Sequence, residues 1–128
     1  GYISVSIASK YFNELVHLSA LICFIGHIFP IWLKFKGGKG VATYLGIILG
    51  ISFMLGFVFG ITWLLIAIIF RYSSLSSMLS SMVVCIYSFY LGNETQSYFL
   101  FIIFVIIIFT HKENINRLKN SKENKIKI

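Results

Sequence analysis

Lys34, Lys36 and Lys39 alternate with Gly37, Gly38 and Gly40 at the end of a hydrophobic run, within the stretch GHIFPIWLKFKGGKGVATYLG (26–46). Glycine lets backbone N–H groups approach an anion without interference from a Cβ, and lysine adds point charges suited to phosphate. A loop of this kind at the rim of a hydrophobic segment fits binding of an anion where lipid meets water. It is not a nucleotide-binding P-loop, because Leu33 and Gly40 stand where that pattern needs Gly and Ser or Thr. A charged interfacial loop accounts for Lys34 and Lys36, whereas Lys39, enclosed by Gly38 and Gly40, is the better candidate for a phosphate.

The second group is His111, Asn114 and Arg117, spaced i, i+3, i+6, which on a helix makes one polar face. Arg and Asn there can bind a phosphate or hydroxyl groups, with His as donor or proton acceptor. A His at a membrane boundary also serves simply as an amphipathic anchor. Arg71-Tyr-Ser-Ser74-Leu-Ser-Ser77 is read most plainly as a positive topology signal followed by helix-capping serines. His17 is assigned no chemistry. No Asp occurs anywhere, so a His–Asp dyad cannot be built, and Cys23 and Cys85 sit in apolar runs without metal-ligand spacing.

These groups must be carried by membrane helices. With 58% apolar and 12% charged residues among 128, the chain has the composition of an integral membrane protein. Eleven basic against four acidic residues is a balance also found in nucleic-acid binders, but the basic residues gather beside hydrophobic spans, the pattern of cytoplasmic flanks facing a bilayer, so no nucleic-acid partner is expected. The opening GYISVSIASKYF shows no signal peptide and reads like the middle of a longer protein. Spans are expected over 15–33, with Pro30 breaking the helix near its end, over 74–91 and over 98–110.

Residues 41–70 carry no charge. As one helix they would measure about 45 Å, against roughly 30 Å of hydrocarbon. One span there would also put the lysine loop and the basic tail on opposite faces, against the positive-inside rule. A turn near 50–56 instead puts the loop, Arg71 and the tail on the cytoplasmic side. Gly46-xxx-Gly50 and Gly56-xxx-Gly60 would allow close helix packing. The expected architecture is therefore all-α: a polytopic integral membrane helical bundle with about five hydrophobic helices, forming one membrane domain over 1–128 with 111–128 as a cytoplasmic basic tail.

The same two stretches resemble a known family. Gly26, His27, Phe29, Pro30, Phe35, Lys36, Gly37, Gly38, Lys39, Gly40, Val41, Ala42 and Thr43 match the second motif of the bacterial acyl-phosphate:glycerol-3-phosphate acyltransferases, the PlsY family. His111-Lys-Glu-Asn114-Ile-Asn-Arg117-Leu118, followed by Glu123, is similar to its third motif, although Gly is common in the family where Ser121 stands here. The resemblance implies catalytic roles for His111 and Asn114, and phosphate binding by Gly37, Gly38, Lys39, Gly40 and Arg117. It also makes Ser74 and Thr43 candidates for the substrate pocket, and His27 and Glu123 structural residues.

The implied reaction moves an acyl group from acyl phosphate to glycerol 3-phosphate, the first step of phospholipid synthesis, in the bacterial inner membrane and without a cofactor or metal. Acyl phosphate is already activated, so orientation and charge stabilisation suffice, and the substrate's own phosphate can take the hydroxyl proton. The family's first motif, rich in Ser, Gly and Asn, has no counterpart here. Two readings follow: the larger part of an acyltransferase, partnered by an N-terminal segment, or an inactive membrane remnant that keeps an anion-binding loop.

Overall fold

The computed structural model describes residues 1–35 and 37–127, with the backbone alone at Trp32; Lys36, one of the loop lysines, lies outside the described residues. Among the described residues seven α-helices follow one another: α1 (Tyr2–Tyr11), α2 (Val16–Ile28), α3 (Val41–Ile51), α4 (Phe53–Phe70), α5 (Ser73–Tyr90), α6 (Glu94–Thr110) and α7 (Lys112–Lys119). The all-α class expected from composition holds. The count exceeds five because α1 precedes the first expected span and because the basic tail begins with α7. The chain divides into two compact units, Gly1–Phe57 and Val58–Ile128, with the boundary inside α4.

In the first unit, α2 stops where proline dictates. Phe29 leaves the helix at φ −120°, ψ 59°, and Pro30 is extended at ψ 121°, so the span ends five residues short of Leu33. A single 3-10 turn (Ile31–Leu33) follows, and Lys34 and Phe35 then take left-handed φ values of 53° and 62°. Gly40, at φ 82°, leads into α3.

The charge-free run is broken, as its length requires. Ser52 is extended (φ −157°, ψ 126°) between α3 and α4. A Cβ on Gly56 would lie 3.6 Å from the Cα of Leu49, whereas residues seven apart in a continuous helix are about 10 Å apart. The start of α4 therefore folds back on the end of α3. The break is unequal: the 11 residues of α3 reach only about 16 Å, while the 18 of α4 reach about 27 Å, close to a hydrocarbon core. Gly46 and Gly50 give α1 its seat on α3. A Cβ on Gly46 would come 3.0 Å from Tyr2 N, and one on Gly50 2.9 Å from Val5 Cβ. The second glycine pair is only half used, since a Cβ on Gly60 would meet nothing within 4 Å.

In the second unit α5 packs on α6. Alongside apolar Val84, Leu100 and Ile103, the serines Ser76, Ser80, Ser81, Ser88 and Ser97 of these two helices are fully buried. Each hydroxyl has a partner, as a membrane interior demands. Ser76 and Ser80 donate to the carbonyls of Tyr72 and Ser76 four residues back, and Ser97 donates to Ser88 Oγ at 2.9 Å. Contrary to expectation, the serines at the start of α5 do not cap it; the N-cap is Tyr72, with no side-chain cap bond. Beyond α6 the axis bends by 59° into α7.

Candidate functional site

The lysine–glycine loop is built onto the end of α2. A Cβ on Gly37 would run into the carbonyl oxygens of His27 and Ile28, and one on Gly38 would come 2.6 Å from His27 Nε2. At Gly40 the obstacle is the ring of Phe24, 2.6 Å away, on top of the positive φ. Three neighbouring positions thus exclude side chains for three separate reasons. The His27 ring therefore lies beside the loop at Gly38. Lys39 is exposed, and the loop runs into the N-terminus of α3, which no side chain caps. A cationic side chain beside uncapped helical N–H groups can hold an anion. Thr43 lies in the first turn of α3, its backbone carbonyl beside Gly1.

The second candidate group sits at the elbow between α6 and α7. His111 is 2% exposed, and its Nδ1 lies 2.8 Å from the Ile107 carbonyl. A carbonyl only accepts, so Nδ1 carries a proton, and Nε2 is the nitrogen that can take one up when the ring is neutral. Asn114 is 4% exposed, whereas the Arg117 side chain is 43% exposed.

What joins these residues is Glu123. Oε1 accepts from Asn114 Nδ2 at 2.6 Å and from Ser74 Oγ at 2.7 Å, while Oε2 accepts from Arg117 Nε at 2.6 Å. Burial pushes the Glu123 carboxyl upward, but the bonds from Asn114, Ser74 and Arg117, together with the Arg117 charge, prevail and hold it at about 2. It is therefore a fixed anion at neutral pH. Its bond to Asn114 also settles the amide orientation, because an oxygen there would face a carboxylate. Asn114 Oδ1 is then left buried with no hydrogen-bond partner among the described residues. An unpaired buried acceptor is costly, and a donor hydroxyl would satisfy it.

Glu123 reaches this position through a helix-ending reversal. Ser121 N–H donates to Leu118 O and Lys122 N–H to Arg117 O, the bond pair of a Schellman motif, with Ser121 at φ 55° where glycine is favoured. Ser74, a candidate for the substrate pocket, donates its hydroxyl to this carboxylate. Arg71, read from sequence as a topology signal, turns out to bond the tail. No local pattern signals that role, because its partner, Ile126, is 55 residues away.

A family model described as glycerol-3-phosphate acyltransferase matches residues 1–121. The chain belongs to the glycerol-3-phosphate acyltransferase family. A glycerol-3-phosphate acyltransferase of Pelagibacter ubique is 49% identical over 91% of this chain and 61% of its own length. One of Ehrlichia canis is 45% identical over 98% of this chain and 67% of its own. The chain thus spans about three fifths to two thirds of the relatives it matches. A crystal structure of PlsY, an integral membrane glycerol 3-phosphate acyltransferase in its glycerol 3-phosphate form, superposes with a TM-score of 0.95 at 33% identity, covering 99% of this chain and 66% of that one. A second PlsY structure, in the lysophosphatidic acid form, gives 0.92 over 97% and 65%. This glycerol-3-phosphate acyltransferase family member is accordingly a membrane protein, as its composition indicated.

Proposed function

We propose that the chain carries out acyl transfer from acyl phosphate to glycerol 3-phosphate, releasing phosphate and 1-acylglycerol 3-phosphate. The observation that carries this reading is the buried Asn114 Oδ1, held in place by Glu123 and without a hydrogen-bond partner among the described residues, which suits a substrate hydroxyl. Membership of the family supports it, as does a solved relative captured with glycerol 3-phosphate.

In this reading Lys39 and the backbone at Gly37, Gly38 and Gly40 hold a phosphate. Arg117, whose Nε is bonded to Glu123, offers its terminal nitrogens to a phosphate oxygen. Asn114 orients the attacking hydroxyl, and His111 stabilises charge or relays a proton at the elbow. The hydroxyl oxygen forms the ester bond as the acyl–phosphate bond breaks, and its proton passes to a substrate phosphate. No covalent enzyme intermediate is required, since the donor is already activated. The charge pattern supports an inner-membrane location with the lysine–glycine loop and the tail on the cytoplasmic side.

Acyl transfer by the chain in bilayers tests the reading, alone and with an added N-terminal segment carrying the first motif of the PlsY family, Gly-Ser-Gly-Asn. Turnover under either condition supports it. Glycerol 3-phosphate binding without turnover under both would favour a membrane protein that keeps the anion site but not the reaction.

A further inference from the structure

After α7 the tail has no helical ladder to fix its course, yet it is fastened at two points. One is Glu123. The other is a reciprocal clasp: Ile126 N–H donates to the Arg71 carbonyl at 2.7 Å, and Arg71 Nε donates to the Ile126 carbonyl at 3.2 Å. Lys125 Nζ also lies over the Tyr72 ring at 5.9 Å.

Arg71 makes this clasp from φ 62°, a left-handed conformation that disfavours any side chain. A topology signal needs only a positive charge, in any rotamer and on any backbone. A residue held in a disfavoured conformation with both its carbonyl and its guanidinium engaged on one partner is constrained for another reason. Glu123 must meet donors from α5 and α7 at once, and it does so from an irregular segment. Closing that segment at Ile126, three residues on, removes the freedom that would let the carboxylate leave.

We propose that Arg71 is a positioning residue of the substrate site. By gripping Ile126 it fixes the course of the tail, so that Glu123 holds the Asn114 amide and the Arg117 guanidinium in the orientation glycerol 3-phosphate requires. This rests on the substrate-binding roles given above to Asn114 and Arg117.

Two variants isolate the clasp. Arg71→Gly keeps the carbonyl and suits the left-handed backbone, while removing the side chain that carries the guanidinium. Truncation after Asn124 keeps Glu123 and removes Ile126. Each is compared with the full chain in nanodiscs by the NMR resonances of Arg117 Nε–H and the Asn114 side-chain amide, and by KM for each substrate. The clasp predicts that both resonances move and that KM for glycerol 3-phosphate rises about fivefold, the worth of one net hydrogen bond, while KM for acyl phosphate stays. A role in stability alone would lower the active fraction, and so apparent kcat, and leave both KM values in place. Unmoved resonances, or an unmoved KM for glycerol 3-phosphate, overturn the proposal. Moved resonances in a chain with no glycerol 3-phosphate affinity would uphold the clasp and overturn the substrate reading instead.

Discussion

Asn114 and Glu123 are joined in the polar cluster at the α6–α7 elbow, 2.6 Å from Nδ2 to Oε1, and that bond leaves the other end of the same amide, Oδ1, buried and without a hydrogen-bond partner among the described residues. A carboxylate held by donors from α5 and α7 thus fixes the orientation of the Asn114 amide.

The first prediction concerns pH. The Glu123 carboxyl sits at about 2 when folded, against an ordinary 4.5. Between those values the unfolded chain binds more protons, so stability rises with pH through the window. The contribution is complete above about pH 5 and is lost as pH falls toward 2, with a slope of at most about 1.4 kcal/mol per pH unit. Thermal unfolding of the wild type between pH 3 and 6 should show this slope, and Glu123→Gln should lack it. Equal slopes would contradict the clamp.

Ser121 gives the second prediction. At φ 55° in a Schellman reversal it holds a conformation that costs an L side chain about 1 kcal/mol. Ser121→Gly should therefore raise stability, by less than that amount once the extra freedom of glycine in the unfolded chain is subtracted. A lower Tm would mean that the Ser121 side chain has a role of its own.

Third, the glycines of the second motif should divide by geometry. Gly37→Ala drives a methyl group into the His27 and Ile28 carbonyls, so the loop must move, and glycerol 3-phosphate affinity should fall about tenfold. Gly26→Ala, where a Cβ meets nothing within 4 Å, should leave affinity unchanged. Titration of both variants with glycerol 3-phosphate checks the contrast, and equal losses would count against the geometric explanation.

Much of this was legible in the chain. The uncharged run 41–70 was too long for one span, and it breaks at Ser52, between the glycines that suggested a turn. The i, i+3, i+6 spacing put His111, Asn114 and Arg117 on one stretch, and Pro30 does end α2. The hub was not legible as a hub. Glu123 depends on the reversal at Ser121 and on Ser74, 49 residues away, and neither leaves a periodic trace. The Arg71 clasp is non-local for the same reason. Helix α1 escaped notice because it has no capping side chain, and only Val5 and Ala8 are buried among its ten residues.

The account stands or falls on transfer of an acyl group from acyl phosphate to glycerol 3-phosphate, measured in bilayers for the wild type and for His111→Ala, each with the Gly-Ser-Gly-Asn segment supplied. We expect wild-type turnover, and a loss of about a hundredfold or more in the variant, the scale of a general acid–base or charge-stabilising group. Equal turnover by the two, or none by the wild type, would contradict it.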